Sequence, residues 1–104
     1  MMNTEALKEK VIECLQTIYD AEIPVSIYEL GLIYEVEILP INNVQIVMTL
    51  TAPGCPAAQS LPIEVDQKVR LIEGVNDVYV TVTWDPPWDK SKMSEAAQLE
   101  LGFL

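Results

Sequence analysis

Few residues in this 104-residue chain have chemical reach, and the foremost is Cys55. It lies in Thr51-Ala52-Pro53-Gly54-Cys55-Pro56, between a β-branched run and an amphipathic helical stretch. Unpaired backbone N–H groups at a helix N-terminus favour a nearby thiolate, which is both a nucleophile and a soft metal ligand. Gly54 opens backbone angles closed to other residues, and the flanking prolines stiffen the loop. The competing reading makes Cys55 a small buried residue, the common fate of a free cysteine. A rigid Pro-Gly loop is an odd place for a core filler, which favours the functional reading. Asp20 and Glu22 form a second constellation. Folded against the Cys55 loop, they add two hard oxygen ligands to one soft sulfur, a set that could meet a metal or a partner. Held apart, they are two solvated surface carboxylates. Trp84-Asp85-Pro86-Pro87-Trp88 is the third feature, a stiff aromatic loop of the kind that anchors partners. Trp84 continues the inward face of its strand and is expected in the core. Trp88 is expected to be exposed or to cover the Cys55 rim, and the alternative folds it back over the sheet edge.

Composition removes several kinds of chemistry. With no histidine, a His-based triad, a His-ligated zinc site and a histidine proton shuttle are excluded within the chain. Two cysteines without a CxxC pair cannot wrap a cluster in four thiolates. A thiol enzyme would lack its usual imidazole base, and an unperturbed carboxylate is a poor substitute. The formal net charge of −10 repels phosphate backbones and anionic bilayers, so neither nucleic acid nor membrane is an expected partner. No apolar run approaches 18 residues, and Met1 to Lys10 has neither the basic start nor the apolar stretch of a secretory signal. The expected compartment is the cytoplasm, where a Cys14–Cys55 disulfide would not persist.

The elements that must position these residues follow from periodicity. Thr4 caps a helix over roughly 4–19, with Leu7, Val11, Cys14, Leu15 and Ile18 as its apolar stripe, so Cys14 reads as core. Ser26 caps a short turn closed by Gly31. Alternation over 32–39 gives a strand, with Ile33, Glu35 and Glu37 on one face and Leu32, Tyr34, Val36 and Ile38 on the other. Pro40 to Asn43 turns the chain into a second, antiparallel strand, 44–51. Leu61, Val65, Val69 and Ile72 stripe a helix to about 72, and Pro62 moves its expected start toward 58–60. A strand over 77–84 completes a right-handed βαβ unit, so the second and third strands should be parallel. Ser94 caps a last short helix. The fold expected is a single α/β (α+β) two-layer sandwich over residues 1–104. Its order is α-β-β-α-β-α, with a mixed sheet of at least three strands and helices on one face.

Three segments then resemble one family. Asp20-Ala21-Glu22-Ile23-Pro24 through Leu30-Gly31-Leu32-Ile33 is similar to its first signature, with Ala21 where the family usually has Pro. Met48-Thr49-Leu50-Thr51-Ala52-Pro53-Gly54-Cys55-Pro56 resembles its central motif. Val82-Thr83-Trp84-Asp85-Pro86-Pro87-Trp88, with Met93-Ser94 and Leu101-Gly102, resembles its C-terminal one. The family is that of the metal–sulfur cluster assembly factors, which includes SufT-like and PaaD-like proteins. PaaD-like members carry a Cys-rich tail absent from this sequence, so the SufT-like branch is favoured. The resemblance implies an accessory role in iron–sulfur cluster assembly or transfer, as in the SUF system. It implies Cys55 as the reactive thiol and metal-contacting group, with Asp20, Glu22 and Thr51 around it. It implies no tightly bound cofactor, only transient contact with iron or a cluster. The implied partners are assembly proteins and client apoproteins. A cluster on a single loop thiol needs ligands from a second subunit or from a client, so a homodimer or a transient complex is expected. The alternative is an interaction subunit of a larger oxygenase or assembly complex that docks through Trp88, Pro86 and Pro87 and does no thiol chemistry.

Overall fold

The computed structural model describes residues 4–19, 25–50 and 56–102, without the side chains of 56–59. Its elements are α1 (Thr4–Leu15), β1 (Ile33–Leu39), β2 (Asn43–Met48), α2 (Pro56–Arg70), β3 (Asp77–Val82) and α3 (Glu95–Glu100), with 3-10 turns at Pro40–Asn42 and Lys90–Lys92. The strands form one mixed sheet in the order β1-β2-β3, with β1 antiparallel and β3 parallel to β2. This is the expected α+β arrangement. No helix among the described residues is long and apolar enough to cross a membrane.

The registers explain the core. Ile38–Val44–Val78, Val36–Ile46–Val80 and Ile33–Met48–Val82 are three rows of facing residues across the sheet. Val44, Ile46, Met48 and Val78 are buried, and the others in these rows pack against them half-buried. Leu7, Val11 and Leu15 of α1 and Leu61, Val65 and Val69 of α2 are the buried stripes of their helices. The opposite sheet face carries Glu35, Glu37, Gln45, Tyr79 and Thr81. Such one-sided burial is what strict alternation in β2 and β3 encodes.

Four local expectations are corrected. Ile33 lies on the core face with Val36 and Ile38, because the register slips between Ile33 and Glu35 and makes Tyr34 the extra residue of a bulge. Regular helix stops at Leu15 and not at Tyr19, because Tyr19 pairs with Ser26 in an isolated antiparallel bridge and must be extended. A looser turn still delivers Ile18 to the core. α2 starts at Pro56 and carries Pro62 inside it. An interior proline costs about 3 kcal/mol. Burying Leu61, Val65 and Val69 contributes roughly 1.5–3 kcal/mol each, so the tertiary term wins. Finally, β3 ends at Val82, two residues before Trp84.

Candidate functional site

Cys55, Asp20, Glu22, Thr51 and Gly54 lie outside the described residues. What the structure describes is the framework from which they leave. β1 begins, and β2 and β3 end, at one end of the sheet. There the Thr49 N–H donates to the Leu32 carbonyl at 2.8 Å, and the Thr83 N–H donates to the Met48 carbonyl at 2.8 Å. These two bonds tie the three motif-bearing stretches together. Residues 51–55 follow directly from Leu50, which is buried. On either side of residues 20–24, Tyr19 bridges Ser26 and the Ile27 N–H donates to the Ile18 carbonyl at 2.8 Å. Thr49 is fully buried, and its hydroxyl is the buried side-chain oxygen for which no partner is present among the described residues.

The turn after residues 20–24 forms as its residues dictate. Ser26 Oγ accepts from the Glu29 N–H at 3.3 Å, the Leu30 N–H returns to the Ser26 carbonyl at 2.9 Å, and Gly31 closes the turn at φ +79°. The C-terminal stretch is strapped onto it. The Ser94 N–H donates to the Glu29 carbonyl at 2.9 Å, and the Trp88 Nε1–H donates to the Leu30 carbonyl at 2.7 Å. A Cβ on Gly31 would lie 2.6 Å from the Lys92 carbonyl carbon, with the carbonyl oxygen closer still, so only glycine admits this approach. Between α1, this turn and α3 lies an open cleft of about 470 Å³ flanked by Tyr19, Val25, Glu29 and Ala97.

The two tryptophans exchange their expected environments. Trp88 is half-buried against the core, its indole N–H consumed by Leu30, so the folded-back alternative describes it. Trp84 is the outward ring, 47% exposed. The cause lies at Thr83, whose hydroxyl accepts from the Asp85 N–H and donates to the Asp85 carbonyl, both at 3.2 Å. This local turn breaks the strand's alternation before Trp84 can point inward. Pro86 and Pro87 are exposed, and the Pro86 carbonyl accepts from the Tyr34 hydroxyl at 2.7 Å. The Lys92 ammonium stands 5.2 Å from the centre of the Tyr34 ring. Tyr34, the bulge residue, therefore secures the Trp84–Trp88 loop from the other side. Sequence reasoning missed that link, since alternation gave no hint of the bulge.

Cys14 is half-buried beside the core. Burial pushes its thiol above the usual range, against a smaller opposing effect of the Lys68 charge, so it remains a protonated packing group at neutral pH. Among the described residues there is no group of three His, Cys, Asp or Glu side chains able to hold a metal ion.

Comparison with known proteins completes the picture. A family model described as "Iron-sulfur cluster assembly protein" matches residues 8–82. Over 105 residues the chain is 49% identical to a protein of Porphyromonas gingivalis named Fe-S protein maturation auxiliary factor, covering 99% of this chain and 100% of that one. It is 40% identical to the Fe-S protein maturation auxiliary factor YitW of Bacillus subtilis, over 95% and 97% of the two chains. The crystal structure of a domain of unknown function from Bacillus anthracis superposes with a TM-score of 0.88 at 37% identity, over 97% of this chain and 96% of that one.

Proposed function

Because the chain belongs to the iron–sulfur cluster assembly protein family, we propose that it is a cytoplasmic accessory factor that passes clusters to client apoproteins through the Cys55 thiolate. The chain is not an enzyme in this reading. Its relatives carry the names of auxiliary factors, which supports the accessory role. The observation that carries the finer reading is the bonding at the sheet end. Thr49 to Leu32 and Thr83 to Met48 join described residues of all three motif segments, which supports a site composed of the three. Asp20, Glu22 and Thr51 serve as its neighbours, and Gly54 shapes the loop.

A single thiolate cannot hold a cluster alone, so the remaining ligands come from the client or from a second subunit. Contact is therefore transient. Transfer proceeds by ligand exchange without change of oxidation state. Each client thiol gives up its proton on coordination, and Cys55 takes one up on release. The test is complementation of a strain that lacks this factor, read as the activity of its iron–sulfur enzymes. Cys55→Ser should fail to restore that activity, whereas full restoration would refute the thiol role. A second reading, docking without thiol chemistry, is favoured by the outward Trp84 ring. It requires Cys55→Ala to be harmless in the same strain.

A further inference from the structure

The Trp84–Trp88 loop is built to present something. It is held at its start by the paired Thr83 and Asp85 bonds, in its middle by Tyr34 on the Pro86 carbonyl, and at its end by Trp88 on the Leu30 carbonyl. Three tethers within six residues leave little conformational freedom to lose on binding. Yet Trp84 stands outside the core, and Asp85, Pro86 and Pro87 beside it are exposed. Among the described residues no ion pair engages the Asp85 carboxylate. An exposed indole and a carboxylate on consecutive residues can attract a cation twice, through the ring quadrupole and through the charge. Guanidinium fits this pair better than ammonium, since its plane stacks on indole while its edge reaches a carboxylate.

We propose that Trp84 and Asp85 form a docking platform for an arginine-bearing segment of the protein that receives the cluster. Charge selects this occupant over a second copy of the chain. Each copy carries a net charge of −10, so two copies repel, whereas a basic segment is drawn in from solution. The inference rests on the Cys55 reading for what the partner receives. The platform sits two residues beyond β3, at the sheet end from which the Cys55 loop departs. A segment docked there brings its protein to that rim.

The test uses the full 104-residue chain labelled with nitrogen-15. Its two tryptophans give two indole N–H resonances, assigned with Trp84→Phe. The titrants are acetyl-Gly-Arg-Gly-Arg-Gly-amide and its Lys and Glu counterparts. The Arg peptide should shift the Trp84 resonance and leave that of Trp88 in place. The Lys peptide should bind more weakly, and the Glu peptide should do nothing. Trp84→Leu, which keeps an apolar side chain but no ring, should weaken binding about two- to fivefold, and Asp85→Asn comparably. Trp84→Phe should retain most of the binding. An unmoved Trp88 resonance in Trp84→Leu confirms that the variant is folded. Equal affinity of Trp84→Leu and wild type would overturn the proposal. So would equal binding of the Arg and Glu peptides, or a Trp84 resonance that moves with protein concentration alone, the mark of a second copy. The complementing strain separates the two readings. If Trp84→Leu binds the Arg peptide as tightly as wild type while Cys55→Ser fails to restore enzyme activity, docking fails and the thiol role stands. If Cys55→Ser restores it while the Arg peptide still binds at Trp84, the thiol role fails and the platform stands.

Discussion

Replacing Gly31 by alanine probes the strap that holds the C-terminal loop over the Ser26–Gly31 turn. The new Cβ would stand 2.6 Å from the Lys92 carbonyl carbon and 2.9 Å from its Cβ, whereas carbon atoms rest at about 3.5–4.0 Å. The Lys90–Lys92 turn must therefore retreat by about 1 Å. That displacement pulls on the Ser94–Glu29 bond at 2.9 Å and the Trp88–Leu30 bond at 2.7 Å. Each contributes about 0.5–1.5 kcal/mol net. A Cβ at φ +79° adds about 1–2 kcal/mol of backbone strain. The sum is roughly 2–5 kcal/mol, and at about 4–8 °C per kcal/mol it lowers Tm by about 10 °C or more. Gly102→Ala is the control. Its φ is +82°, but nothing lies within 4 Å of the added Cβ, so it carries the strain without the collision. Thermal melts followed by far-UV circular dichroism should show Gly31→Ala falling at least twice as far as Gly102→Ala. Equal losses would mean that the strap does not press on Gly31, and the reasoning would be wrong.

Three further outcomes follow from the same coordinates. Trp88→Phe keeps an aromatic ring, smaller than indole, but leaves the buried Leu30 carbonyl without its donor, so urea denaturation should show a loss of at least about 1–3 kcal/mol. Ile41 adopts φ 56° and ψ 29° while 76% exposed, so Ile41→Asn relieves left-handed strain at no cost in burial and should raise stability by about 0.5–1 kcal/mol in the same assay. Asp77 is held below the usual carboxylate range, first by the Arg70 side chain and then by the Val78 N–H. Its contribution to stability is therefore present above the ordinary aspartate range and is lost as pH falls through its folded value. Arg70→Gln should raise the Asp77 titration midpoint in carboxyl carbon-13 NMR and flatten that acid-side loss. An unchanged midpoint would contradict the assignment.

The parts of the molecule governed by periodicity were legible in advance. β2 and β3 alternate cleanly because one sheet face is buried and the other wet, and the Leu61–Val65–Val69 stripe marks α2 despite Pro62. Ser26 and Gly31 announce their turn through capping and left-handed geometry. What escaped depends on contacts between remote segments. Nothing near Tyr34 signals a bulge, since its purpose lies 52 residues away at Pro86. Strand alternation assigns Trp84 to the core and leaves Trp88 outside it. Their fates are separated by the Thr83 hydroxyl, which turns the chain, and by the Leu30 carbonyl, which captures only one indole. α1 ends early because Tyr19 is claimed by Ser26, a pairing that local helix propensity cannot register. The carboxylates Asp20 and Glu22 and the thiol Cys55 were singled out by residue type and motif, and they lie outside the described residues.

The central claim is that the Cys55 thiolate handles the cluster. It is tested most directly by loading the purified chain anaerobically with iron and sulfide, mixing it with an apoprotein that takes a four-iron cluster, and following recovery of that protein's activity. Wild type should accelerate recovery over iron and sulfide alone, and Cys55→Ser should fall to that background. Equal acceleration by Cys55→Ser would contradict the account.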